Sequence, residues 1–203
     1  MVENFDIFGC YAQTELGHGT DVAGLESTAV LDLNTDEFVL NTPTISSTKW
    51  WPGEMGRYAN HAIMIARLIV KGEDYGISPF MVQIRHSDTH KYMPGIECGD
   101  LGPKWGMSSK DNGWLTMNNV RIPRNQMLMK AVQVDRDGMV TASSQSLGEL
   151  YLPMLKTRGF FYTGVPFLMV SASLIGIRYS CVRRQFKNIS GQECETLLMD
   201  YQT

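Results

Sequence analysis

The run Ala62-Ile63-Met64-Ile65-Ala66-Arg67-Leu68-Ile69-Val70 is apolar at every position but Arg67, and it closes at Lys71-Gly72. Such a run suits a buried strand, although periodicity alone leaves a buried helix open. Its surroundings favour the strand. Phe80-Met81-Val82-Gln83-Ile84-Arg85 follows Gly76-Ile77-Ser78-Pro79, which reads as a turn, and makes a natural hairpin partner. Upstream, Ser27-Thr28-Ala29-Val30-Leu31 and Phe38-Val39-Leu40 flank the turn-like Asn34-Thr35-Asp36, predicting another hairpin. Downstream, Asp111-Asn112-Gly113 introduces Trp114-Leu115-Thr116-Met117, and Arg121-Ile122-Pro123 ends that section. Glycine recurs at nearly every one of these turns, as expected of a small β-barrel or sandwich.

Beyond about Ser143 the pattern changes, which divides the chain into an expected β-domain over 1–142 and a helical region over 143–203. Pro166 near a helix N-terminus, with Thr163 as its cap, predicts a helix running to about Lys187, with Gly191 as its stop. A further helix is expected from Glu193, and Tyr201-Gln202-Thr203 carries no stop signal, as in an interrupted domain. Residues 159–177 are uncharged between Arg158 and Arg178, so a membrane span competes with a helix buried in a bundle or subunit interface. A span needs about 20 mainly apolar residues. Thr163, Gly164, Pro166, Ser171 and Ser173 dilute this one, which favours the bundle.

Charge is unevenly spread. Residues 150–192 hold no Asp or Glu and six Lys or Arg, so the net charge of −3 leaves −9 on the remainder. A basic segment on an acidic body suits an anionic partner such as phosphate, or is simply a solvated helix face. Nothing global points to nucleic acid. Cys10, Cys98, Cys181 and Cys194 form no CxxC pair, which argues for a reducing compartment and against a zinc site. No basic-then-apolar leader opens the chain.

Three segments carry a specific resemblance. They are Tyr11-Ala12-Gln13-Thr14-Glu15-Leu16-Gly17-His18-Gly19-Thr20; Lys49-Trp50-Trp51-Pro52-Gly53 with Asn60-His61-Ala62; and Ile177-Arg178-Tyr179-Ser180-Cys181-Val182-Arg183-Arg184-Gln185-Phe186. In this order the chain resembles the peroxisomal acyl-CoA oxidases of the acyl-CoA dehydrogenase superfamily. The resemblance implies an α+β fold: an acyl-CoA dehydrogenase-like middle β-barrel domain followed by the first helices of an α-helical bundle domain. It implies FAD as cofactor and a peroxisomal enzyme that turns fatty acyl-CoA into trans-2-enoyl-CoA, with dioxygen reoxidising the flavin and yielding hydrogen peroxide. The expected partners are fatty acyl-CoA, dioxygen and a second subunit of a homodimer, with no nucleic acid and no membrane span.

Residue by residue, the resemblance assigns Thr14 and Gly53 to flavin contacts, Trp51 to packing near the flavin and Thr20 to the neighbourhood of bound substrate. Read alone, Thr14 is an ordinary strand threonine and Trp50-Trp51 an ordinary core or interface pair. His18 is given no role by the family and reads as a turn histidine. The dehydrogenase branch has Trp-Ile-Thr where this chain has Trp51-Pro52-Gly53, which separates oxidase from dehydrogenase. Glu54 departs from the glycine that oxidases commonly carry there. On a helix, Tyr179, Arg183 and Phe186 would share a face. The resemblance then sends Arg183 to the FAD pyrophosphate of a neighbouring subunit with Phe186 beside it, a pairing suited to the planar guanidinium. The family's catalytic glutamate is expected beyond residue 203, so no catalytic residue and no metal ligand is named. A dehydrogenase and a non-catalytic scaffold remain the competing readings. Met107, Met117, Met127 and Met129 fill a core or line an acyl tunnel.

Overall fold

A computed structural model describes residues 3–142, 146–187 and 194–201, in two compact units, 1–146 and 147–203. The first unit is β-structure: β1 (Gly9–Ala12), β2 (Thr28–Asp32), β3 (Glu37–Asn41), β4 (Lys49–Gly53), β5 (His61–Val70), β6 (Glu73–Gln83), β7 (Ile96–Asp100), β8 (Asn112–Met117), β9 (Val120–Pro123), β10 (Val132–Val134) and β11 (Val140–Ala142).

The apolar run is the strand β5, and it organises the unit. One edge of β5 takes β6 antiparallel, while the other takes β1 and β2 in parallel, end to end. Strands β3 and β9 extend that sheet beyond β2, and β4, β8 and β7 form a second sheet. The two are stitched where the Thr42 N–H donates to the Met117 carbonyl (2.9 Å) and the Met117 N–H donates to Thr42 Oγ1 (2.9 Å). The result is a curled half-barrel, the form that the expected small barrel takes. Its concave side buries Ala62, Met64, Ala66 and Leu68 of β5 against Phe38, Leu40, Phe80, Val82 and Leu115. Phe38 and Phe80 meet edge to face, with ring centroids 5.1 Å apart.

The β2–β3 hairpin has the expected register, Ala29 opposite Leu40 and Leu31 opposite Phe38. The β5–β6 hairpin differs from expectation. Gly76-Ile77-Ser78-Pro79 is not its turn but part of β6, with Ser78 opposite Ala66 and Pro79 opposite Ile65. The reversal is Lys71-Gly72, whose positive φ angles (52° and 82°) match the right-handed twist of the flanking strands. Gly76, at φ 80°, instead absorbs a bulge where the register shifts between Arg67 and Ile69.

The second unit is dominated by the helix α1 (Ser146–Ser180), the one α-helix among the described residues. It begins well before the expected start at Thr163 and Pro166. It runs through both Pro153 and Pro166, which lie inside the helix rather than at its start. Thr163 is no cap: its hydroxyl donates back to the Phe160 carbonyl (2.7 Å). The helix also ends before Lys187. After Ser180 the chain turns, and Arg184 bridges Leu197 antiparallel. Gly191 and Glu193, the expected stop and second start, lie outside the described residues, and residues 198–200 form a single 3-10 turn.

Candidate flavin-contact site

Where β1 ends, Gln13 and Thr14 run beside β4, and the Trp50 N–H donates to the Thr14 carbonyl (2.9 Å). That bond sets Thr14 beside the Trp51-Pro52-Gly53 stretch, so three of the residues singled out in the sequence share one edge. Thr14 and Gly53 are half-buried, whereas the Trp51 indole is 52% exposed. Trp51 takes a left-handed backbone (φ 79°), and its carbonyl accepts from Asn112 Nδ2 (2.7 Å). Between Trp50 and Gly53 the β4–β8 register shifts, so this strand bends just where the indole turns outward.

Beneath Thr14 lies an ion pair that the sequence reading passed over. Glu15 and Lys49 are both fully buried, with Lys49 Nζ 3.0 Å from Glu15 Oε1. Lys49 also donates to the Gln13 carbonyl (3.2 Å) and the Ile65 carbonyl (2.7 Å). Glu15 accepts from the N–H groups of Glu26 (2.8 Å) and Ser27 (3.0 Å) and from the Ser27 hydroxyl (2.6 Å). Burial pushes the Glu15 carboxyl up, but the Lys49 charge and these hydrogen bonds outweigh it and hold the group below its usual range. Gln13 and Glu15 are thus pinned on either side of Thr14. His18 joins the cluster, with Nδ1 3.2 Å from Glu15 Oε2 and Nε2 3.7 Å from Glu26 Oε1. It braces a turn, in keeping with the turn histidine expected.

A second buried cation fixes the loop after Gly53. Arg85, 2% exposed, donates to the carbonyls of Ala59, Met55 (2.8 Å) and Gly56 (2.9 Å), and its guanidinium lies 5.1 Å from the Tyr92 ring centroid. It also lies 3.0 Å from the Cys98 sulfur. Burial pushes the Cys10 thiol up to about 12 and raises Cys98 as well, so these two thiols are packing groups rather than nucleophiles.

Thr20 sits apart on an exposed turn, its carbonyl accepting from the Val22 N–H (3.0 Å). In the second unit the expected helical face of Tyr179, Arg183 and Phe186 does not form, because α1 stops at Ser180. The Arg183 N–H still donates to the Tyr179 carbonyl (2.8 Å), but its own carbonyl accepts from Leu198 N–H (2.9 Å). Phe186 is exposed with a left-handed backbone (φ 54°), paired through its carbonyl to the Thr196 N–H (2.8 Å). The returning strand-like segment at 196–198 competes for these backbone groups and ends the helix. No group of three His, Cys, Asp or Glu among the described residues could hold a metal.

The cavity of about 620 Å³ bounded by Phe5, Phe8, Glu54, Tyr58 and His90 has neither Thr14, Trp51 nor Gly53 in its lining. With the Trp51 indole half exposed, the site is an open ledge. A flat ring with a polar edge fits its chemistry: an exposed indole for the apolar face, a hydroxyl at Thr14, and a residue without a side chain at 53.

The half-barrel defines a recognised class of domain. The family model described as "Acyl-CoA dehydrogenase, middle domain" matches residues 10–120, and "Acyl-CoA oxidase, C-alpha1 domain" matches 151–203. Peroxisomal acyl-coenzyme A oxidase 1 of Mus musculus is 49% identical over 202 residues, which are 99% of this chain and 30% of that protein. Acyl-CoA oxidase 1 of Arabidopsis thaliana superposes with a TM-score of 0.87 at 46% identity, covering 98% of this chain and 30% of that one. Acyl-CoA oxidase-1 of Caenorhabditis elegans, complexed with FAD and ATP, gives 0.80 at 42% identity over 97% of this chain and 28% of that one. The chain belongs to the acyl-CoA oxidase family of the acyl-CoA dehydrogenase superfamily, and it spans about 30% of the length of the relatives it matches.

Proposed function

We propose that this chain is the flavin-facing part of a peroxisomal acyl-CoA oxidase, whose full-length form converts fatty acyl-CoA and dioxygen into trans-2-enoyl-CoA and hydrogen peroxide. The observation that carries the reading is the Trp50 N–H to Thr14 carbonyl bond, which brings Thr14, Trp51 and Gly53 to one edge. Bound FAD would supply the redox chemistry, accepting the hydride and passing electrons to dioxygen. The chain's own residues bind and orient. The Thr14 hydroxyl offers a hydrogen bond to the ring's polar edge, Trp51 covers an apolar face, and Gly53 contributes its backbone, the space of its missing side chain being taken by Lys110. The buried Glu15–Lys49 pair keeps the backbone around Thr14 in place, which keeps that hydroxyl aimed.

Thr20, on its exposed turn, is the position proposed to lie near the acyl-CoA. Arg183, three residues beyond the end of α1, is proposed to reach the cofactor pyrophosphate of a second subunit, with Phe186 beside it, in a homodimer. The likeness of residues 151–203 to the oxidase C-alpha1 domain supports α1 as a bundle helix rather than a membrane span. No acid–base residue of the reaction is assigned to the described residues.

The test uses the full-length parent. It should purify with flavin absorbance and form peroxide from palmitoyl-CoA, and Thr14→Val should weaken FAD binding by about tenfold, the worth of one hydrogen bond to a group that gains charge. A parent without flavin that cannot be reconstituted sinks the assignment.

A further inference from the structure

Gly53 ends β4, and Glu54 follows it. Glu54 holds a left-handed backbone (φ 65°), where side chains other than glycine, asparagine and aspartate are uncommon. Its N–H donates to the Asp111 carbonyl (2.8 Å), so the chain leaving β4 runs alongside the chain entering β8. That alignment brings the Glu54 carboxylate onto the Lys110 ammonium as an ion pair. Lys110 is steadied by its backbone: its N–H donates to the Met107 carbonyl (2.9 Å), and its carbonyl accepts from Lys104 Nζ (3.0 Å). A Cβ placed on Gly53 would lie 3.1 Å from Lys110 Cε and 3.5 Å from its Nζ. The ammonium therefore rests against the bare face of the residue read as a flavin contact.

We propose that the Lys110–Glu54 pair tunes the electrostatics of the flavin site, with Lys110 favouring the reduced cofactor and Glu54 restraining it. The proposal rests on the reading of Gly53 as a flavin contact. The physical ground is simple. Reduction adds negative charge to the flavin ring, so a cation close to the ring stabilises the reduced form and a carboxylate opposes it. Lys110 and Glu54 are each about two-fifths exposed, at 41% and 42%, so solvent screens the pair but does not erase it. Each residue masks the other, and removing one exposes the other's charge. The two single substitutions must then act in opposite directions, which a change of loop shape would not do.

The experiment takes the flavin-loaded full-length parent and equilibrates it with a reference redox dye. The reading is the ratio of reduced to oxidised flavin at fixed dye potential. Lys110→Met should lower that ratio by about three- to tenfold, and Glu54→Gln should raise it by a similar factor. Lys110→Arg keeps the charge and should stay near the parent. Flavin content measured first confirms that each variant is folded and loaded. A loaded parent whose ratio is unchanged in all three variants overturns this proposal alone, as does a shift of Lys110→Met and Glu54→Gln in the same direction. A parent with no flavin overturns the cofactor reading and this proposal with it.

Discussion

The β-unit and the helix α1 draw on the same apolar residue types and end in opposite conditions. In the half-barrel Phe38 and Phe80 are wholly buried; on α1, Phe160 and Phe167 are 74% and 75% exposed. The strands alternate, so one face can be closed by folding a sheet on itself. The helix carries Phe160, Phe161, Leu168, Met169, Ile175 and Ile177 with no polar face of its own, and its segment Met154–Ser180 is long and apolar enough to cross a membrane. A helix that is apolar all round needs surroundings that are apolar all round. The contrast teaches that burial in this chain is a property of each unit: one encloses its own core, and the other leaves its apolar side chains exposed.

The sharpest way to break that comparison is to separate the units. A chain cut after residue 142 should remain monomeric and unfold cooperatively in urea, whereas the 203-residue chain should self-associate as concentration rises, seen by light scattering. If the shortened chain aggregates as readily, the half-barrel does not close its own core.

Within the β-unit the largest point effects should come from groups buried without slack. Lys49→Met leaves the Glu15 carboxylate buried and unpaired and should cost about 3–5 kcal/mol, read from the urea midpoint. Combining it with Glu15→Gln should restore part of that loss, since the uncompensated charge is then gone. Phe38→Ala should cost about 3–5 kcal/mol for its cavity. The matching change on the helix, Phe160→Ala, should cost the 203-residue chain no more than about 0.5 kcal/mol, read from the same midpoint. Equal costs at Phe38 and Phe160 would overturn the contrast between the units.

Acid should find the same weak point. The folded Glu15 carboxyl is held below its usual value, while the unfolded chain titrates normally. On acidification the unfolded state takes up its proton first, so this stabilisation is full above the ordinary carboxylate range of about 4 and is lost as pH falls through the lower folded value. Stability measured against pH should show a steeper acid slope in the parent than in a Glu15→Gln/Lys49→Met double variant.

How much of this was legible in the residues depended on range. The hairpin of Ser27–Leu31 with Phe38–Leu40 is local, written in alternation and a turn, and it formed in register. The ledge of Thr14, Trp51 and Gly53 is implied by the family resemblance alone, and the fold sets Thr14 beside the other two. Glu15 and Lys49 are 34 residues apart, and their link depends on β1 reaching β4, which no local period reveals. A hint existed: Lys49 directly precedes two tryptophans, and Arg85 closes an apolar run. A cation set in a strand's apolar run is a candidate for burial with partners. The helix ends differ from those expected because Pro166 lies inside α1 rather than at its start, and because the pairing of Arg184 with Leu197 is again non-local.

The smallest expected effect tests whether the β-unit also controls its own turns. Lys71 and Gly72 both hold positive φ in the two-residue loop between β5 and β6. Asparagine tolerates that conformation better than lysine, and Asn-Gly is the favoured pair for a turn of this twist. Lys71 is exposed and closes the longest hairpin of the unit with only the end of its stem beside Gly138, so backbone preference is the main thing that changes at this site. Lys71→Asn should therefore stabilise the fold by about 0.5 kcal/mol, read as a higher urea midpoint. The same gain should appear in the chain cut after 142, because the turn belongs wholly to the half-barrel. A gain confined to the 203-residue chain would mean that the helical unit bears on the β5–β6 hairpin, and that the two regions are less independent than their burial makes them look.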